Sequence, residues 1–136
     1  MAAPRIVLIE DNRADVLLVR EALEHHKVRC EVTVIGDGEA AIKFIDDIDA
    51  GRHPRPDLVI IDLNLPKKPG KEVLKRLREC AACKDVAVVV LTSSEARKDK
   101  DEIAPFAPLH YLTKPSKLDD FITLGALFRQ IVHEAD

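Results

Sequence analysis

Apolar positions in this chain follow two alternating rhythms. Short dense runs occupy residues 6–9, 32–35, 58–61, 86–91 and 109–112. They are rich in Val and Ile and mostly unbroken, the pattern of strands buried on both faces in a parallel sheet. Between them, apolar residues recur every three or four positions, as on one face of a helix. Val16, Leu17, Val19 and Leu23 form the first such stripe, with residues 11–15 supplying capping and turn chemistry at its start. After the Gly36-Asp37-Gly38 turn come Ala40, Ala41, Phe44, Ile45 and Ile48. Residues 51–56 break the pattern, and Pro69-Gly70 opens a third stripe of Val73, Leu74 and Leu77. Residues 95–102 are almost wholly charged, a solvated helix or a mobile element, closed early by Pro105 and Pro108. Phe121, Leu124, Phe128 and Ile131 give the last helix its inward face. Strand then helix, five times over, predicts an α/β fold: a doubly wound five-stranded parallel sheet with five helices and right-handed crossovers.

Composition narrows the class. At 136 residues, 46% apolar and 33% charged, the chain reads as one globular domain over 1–136, with no separate output domain. A net charge of -3 argues against direct binding to nucleic acid. No apolar stretch is long enough for a bilayer, and the start is not a secretion signal. Three cysteines form no disulfide framework, which suits the cytoplasm.

The ends of the strand runs carry the chemistry. Glu10-Asp11 follows the first run, Asp62 the third, Thr92 the fourth and Lys114 the fifth. In a parallel sheet these ends share one edge, where open α/β sheets place ligands. A carboxylate such as Asp62 can attack a phosphoryl group and form an aspartyl phosphate. Phosphoryl transfer then demands positioning and charge neutralisation more than covalent help. Mg²⁺ suits that task, with Glu10, Asp11 and Asp62 as carboxylates and the Asn64 carbonyl completing the protein's share. Lys114 can pair with a phosphoryl oxygen and the Thr92 hydroxyl can donate to another. Singly, each residue also suits a cap or a solvated surface; jointly and in order they describe one site.

With these residues in place the chain resembles the response regulator receiver domain of two-component signalling, from Arg5 to about His133. The resemblance rests on Ile9-Glu10-Asp11-Asn12, Ile61-Asp62-Leu63, Pro66 with Gly70, Leu91-Thr92-Ser93-Ser94 and Tyr111-Leu112-Thr113-Lys114-Pro115. The residues after Asp62 and those around Lys114 look similar to stand-alone regulators partnered with bacterial phytochromes. The resemblance implies a flavodoxin-like sheet of strand order 2-1-3-4-5. It implies phosphoryl transfer from a sensor histidine kinase to Asp62, slow loss of that phosphate, Mg²⁺ on Asp11, Asp62 and Asn64 with Glu10 nearby, and Lys114 as phosphate contact. Thr92 and Tyr111 would be the switch pair, and the Lys114–Pro115 bond would be cis. The chain departs from the family pattern at Pro69, at Pro105 and Pro108, and in a longer segment over residues 46–55.

Such a protein is a phosphoacceptor rather than an enzyme. The output would be a protein contact, and Leu127, Phe128 and Val132 offer either a homodimer surface or more core. The alternative reading is a receiver-like module that binds partners without phosphate. A phosphohydrolase is disfavoured because Asn64 stands where those enzymes carry a second acid. A redox role for Cys80 and Cys83 is disfavoured because the pair ends a helix instead of opening one.

Overall fold

The computed structural model describes residues 2–134. Five strands, β1 (Arg5–Ile9), β2 (Glu31–Ile35), β3 (Leu58–Ile61), β4 (Ala87–Thr92) and β5 (His110–Thr113), form one parallel sheet in the order β2-β1-β3-β4-β5. Helices α1 (Arg13–His25), α2 (Gly38–Asp49), α3 (Gly70–Glu79), α4 (Arg97–Ile103) and α5 (Leu118–Glu134) link and cover the strands. Both the doubly wound class and the strand order match expectation.

The unbroken strand runs divide by parity. Val7, Ile9, Val59, Ile61, Val88 and Val90 pack with Ile45, Ile48, Val73, Leu77 and Ile103 from α2, α3 and α4. Ile6, Leu8, Leu58, Ile60, Val89 and Leu91 pack with Val19, Leu23, Phe121, Phe128 and Val132 from α1 and α5. Alternate side chains of a strand point to opposite faces, so a strand covered on both sides must be apolar throughout. The edge strand β2 buries only Ile35, and its composition is correspondingly more polar.

One expectation needs adjustment and two open readings close. Leu17 faces solvent at 66% exposure, because Val16 and Val19 already span the buried arc of α1. Phe128 and Val132 are core, which takes two of the three residues away from a surface on α5. In the longer segment over residues 46–55, α2 ends at Asp49, Gly51 turns the chain at φ 76°, and Arg76 on α3 grips Asp46 at 2.8 Å and Asp49 at 2.9 Å. The His53 ring then settles 4.4 Å from that of Phe44.

Two contacts at the rim set the shape of the loop after β3. A Cβ on Gly70 would come within 2.8 Å of the Asp62 carbonyl oxygen, so only glycine lets α3 start against the end of β3. A Cβ on Gly38 would stand 1.9 Å from the Lys68 carbonyl oxygen, so the same loop also rests on the start of α2. On the far face, Gly125 brings α5 against α1, where a Cβ would meet the Ala22 carbonyl oxygen at 2.2 Å.

α4 is the short charged helix the sequence describes. A 3-10 turn over Ala104–Phe106 follows it, with Ala107 in the left-handed region at φ 50°. What holds this connection is Arg78 on α3. Its guanidinium donates to the carbonyls of Phe106 (2.8 Å), Ala107 (3.3 Å), Cys83 (3.2 Å), Lys84 (3.1 Å) and Val86 (2.8 Å). One side chain thus ties α3, the start of β4 and the approach to β5. Among the described residues no helix is long and apolar enough to cross a membrane.

Candidate functional site

Parallel pairing brings Ile9 beside Ile61 and Ile61 beside Val90, so the residues that follow gather at one edge. The ladder runs on into the site. The Asp62 N–H donates to the Ile9 carbonyl at 3.0 Å, that of Glu10 to Ile35 at 3.0 Å, and that of Lys114 to Thr92 at 2.8 Å. Backbone already paid into the sheet therefore sets each functional Cα.

Asp62 is 6% exposed and its carboxylate is held from three sides. Oδ1 accepts from the Thr92 hydroxyl at 2.7 Å and from the Asn64 N–H at 3.0 Å. Oδ2 accepts from Lys114 Nζ at 2.8 Å. Nζ also contacts Glu10 Oε1 at 2.6 Å and Asp15 Oδ2 at 2.7 Å. Burial alone would push the ammonium down, but the three acids outweigh it and hold Lys114 well above the ordinary lysine value.

Glu10, Asp11 and Asp62 each present an oxygen within 4.8 Å of the others. Three carboxylates at that spacing offer the hard oxygen donors that a small divalent cation prefers. Asp11 faces solvent, whereas Glu10 is 4% exposed. Burial pushes the Glu10 carboxyl up despite contacts from Lys114 and the Asn12 N–H, and nearby Asp62 adds in the same direction. A carboxyl raised in the fold favours folding below its unfolded value and loses that contribution as pH rises through the folded one. In metal-free buffer, Glu10→Gln is therefore expected to stabilise the protein near neutrality more than near pH 4.5. Urea midpoints at the two pH values measure this, and an equal change at both would count against a buried, strained Glu10.

Tyr111 lies partly buried beside the β4–α4 loop. Its hydroxyl donates to the Ser94 carbonyl at 2.9 Å, and Lys100 Nζ sits 5.3 Å from the ring centroid. Ser94 in turn bonds Asp99 through its hydroxyl. Thr92, Ser94, Asp99, Lys100 and Tyr111 thus link the site to α4.

All the residues expected from sequence converge on this edge, with Asn64 exposed at its mouth and its N–H turned to Asp62. Asp15 escaped sequence reading. It sits in the first turn of α1, where an acid is unremarkable as a helix-end charge. The one signal was that this turn begins directly after Glu10-Asp11. The Lys114–Pro115 bond also differs from expectation, since no peptide among the described residues is cis. The Lys114 N–H on the Thr92 carbonyl fixes the start of that loop instead.

Cys80 and Cys83 are fully buried where α3 gives way to β4, at the opposite end of the strands from Asp62. Burial, with Cys80 beside it, pushes the Cys83 thiol up to about 12, far from a reactive thiolate.

A doubly wound sheet of this order, with an acid cluster, a buried carboxylate, a hydroxyl and a lysine at the carboxyl edge, defines a receiver domain. The chain belongs to that family: the response regulator receiver domain matches residues 6–124. Response regulator Rcp1 of Synechocystis sp. is 38% identical over 123 residues, 88% of this chain and 82% of that protein. The phosphorylated cyanobacterial phytochrome response regulator RcpA superposes with a TM-score of 0.88 at 32% identity, covering 99% of this chain and 97% of RcpA. The Mn²⁺-bound form of Rcp1 gives 0.83 at 35% identity, covering 93% and 92%.

Proposed function

We propose that Asp62 accepts a phosphoryl group from a phosphohistidine of a sensor histidine kinase, in a Mg²⁺-dependent reaction, and that this switches a protein-binding surface around α4 and β5. The observation that carries the reading is the Asp62 carboxylate itself. It is buried at a strand end, held by Thr92 and Lys114, and stands within 4.8 Å of the Glu10 and Asp11 oxygens.

An Asp62 oxygen attacks phosphorus, the P–N bond breaks, and the leaving imidazole takes up a proton. Mg²⁺ on Glu10, Asp11, Asp62 and the Asn64 carbonyl would neutralise charge on the phosphoryl oxygens. Lys114 keeps an ammonium proton aimed at the same place. The Thr92 hydroxyl, now on Asp62 Oδ1, turns to a phosphoryl oxygen and draws the start of the β4–α4 loop with it. That loop carries the Ser94 carbonyl on which Tyr111 rests, so the tyrosine and α4 respond together.

A bacterial phytochrome kinase is the partner we favour, on the likeness to Rcp1 and RcpA. We read the protein as a cytoplasmic phosphoacceptor that returns its phosphate slowly to water and acts on no external substrate.

Incubation with acetyl phosphate and Mg²⁺ should add one phosphoryl group to the intact mass. The adduct should be absent from Asp62→Asn and when Mg²⁺ is chelated. No adduct on wild type under conditions that trap short-lived phosphate would replace this reading with a binding module independent of phosphate. Tyr111→Ala should keep the adduct while weakening partner binding by about tenfold, a typical coupling between sites. Titration of the partner against both phosphorylated proteins checks this, and loss of the adduct would remove Tyr111 from the switch.

A further inference from the structure

Lys114 has three ammonium protons and three carboxylates around it. Glu10 and Asp62 belong to the cluster whose oxygens lie within 4.8 Å of one another; Asp15 does not. That difference matters once a cation arrives. Glu10 and Asp62 must then turn oxygens toward the cation, and Lys114 must free a proton for a phosphoryl oxygen. A lysine held only by those two acids would compete with the cation for both.

Asp15 removes the competition. It rises from α1 and not from the strand ends, and its side chain is only 19% exposed. Its own N–H is fixed by the Asn12 side chain at 3.2 Å, which caps the helix. The start of a helix also favours a negative charge. Asp15 therefore offers the ammonium a fixed partner, 99 residues away in sequence and 2.7 Å away in space, that no cation would claim.

We propose that Asp15 is a positioning residue for the phosphoryl site: it anchors Lys114 from outside the acid cluster, so that Glu10 and Asp62 can turn to a divalent cation while the ammonium stays over Asp62. This rests on the phosphoacceptor reading of Asp62.

The test is calorimetric titration with Mg²⁺ alone, without phosphodonor. Asp15→Ala should weaken Mg²⁺ binding about tenfold, the usual scale for residues that orient metal ligands. Asp15→Asn, which keeps an oxygen acceptor, should recover part of that loss. In a Lys114→Ala background, Asp15→Ala should change the dissociation constant much less than in wild type, because no ammonium is left to anchor. Equal weakening in both backgrounds would make Asp15 a mere local charge and overturn the proposal. Unchanged Mg²⁺ binding in folded Asp15→Ala, judged by its circular dichroism melt, would also overturn it. Failure of the phosphoacceptor reading is distinguishable, since it appears as a wild type without adduct whatever residue 15 is.

Discussion

Lys114→Met should cost about 3 kcal/mol of folding stability in metal-free buffer near neutral pH, the scale for breaking a buried ion pair from one side. The lysine contacts Glu10, Asp15 and Asp62 at 2.6, 2.7 and 2.8 Å, and two of these acids are almost fully buried. Without the ammonium they repel one another at close range with little water to screen them. Two conditions should return much of the loss. Mg²⁺ supplies the missing positive charge, and acid neutralises Glu10, whose carboxyl burial already pushes up. Urea unfolding with chelator, with Mg²⁺ and near pH 5 measures all three. A variant equally stable in each would show that Lys114 does not balance the crevice. Besides the phosphoryl contact proposed for it, the lysine thus keeps the crevice of acids from pushing itself apart.

Arg78→Met should also cost about 3 kcal/mol, since several carbonyls lose their donor at once and partners of a charged group contribute most per bond. Burial pulls the guanidinium down from the ordinary arginine value, yet an arginine stays charged and keeps all five N–H donors. Those donors reach five carbonyls spread over the turn after α3, the start of β4 and the turn before β5. Arg78→Lys should rescue little, because one ammonium cannot reproduce a planar fork. The damage should be local as well as global. Amide hydrogen exchange should rise first over residues 104–109, between α4 and β5. Uniform exchange across the sheet at the same total loss would contradict the clamp. If the clamp holds, Arg78 limits how far the α4 end can move in the switch proposed for Thr92 and Tyr111.

The strands were readable because burial on both faces leaves little room for polar residues, as in residues 58–61. The site was readable because parallel strands align their ends, which turned scattered acids, Thr92 and Lys114 into neighbours. Leu17 misled because periodicity gives a stripe's direction but not its width. Asp15 and Arg78 stayed hidden for a different reason. Each looks like an ordinary charge on its own helix, and its role comes from partners brought together by topology. Arg78 lies in a segment with Lys75, Arg76 and Glu79, where nothing local separates a clamp from a solvated side chain.

The parity division of the strands makes the sheet a wall between two rooms. Among the described residues, the two core clusters share no side chain, and neighbouring residues of one strand belong to different rooms. Repacking on the α4 side reaches α1 and α5 through the strands and through the rim, where Lys114 joins Asp15 to Asp62. The face that carries Asp15 and the face that carries Tyr111 are therefore mechanically separate, joined at the rim where Asp62 stands. A disturbance of one face therefore reaches the other chiefly at that rim.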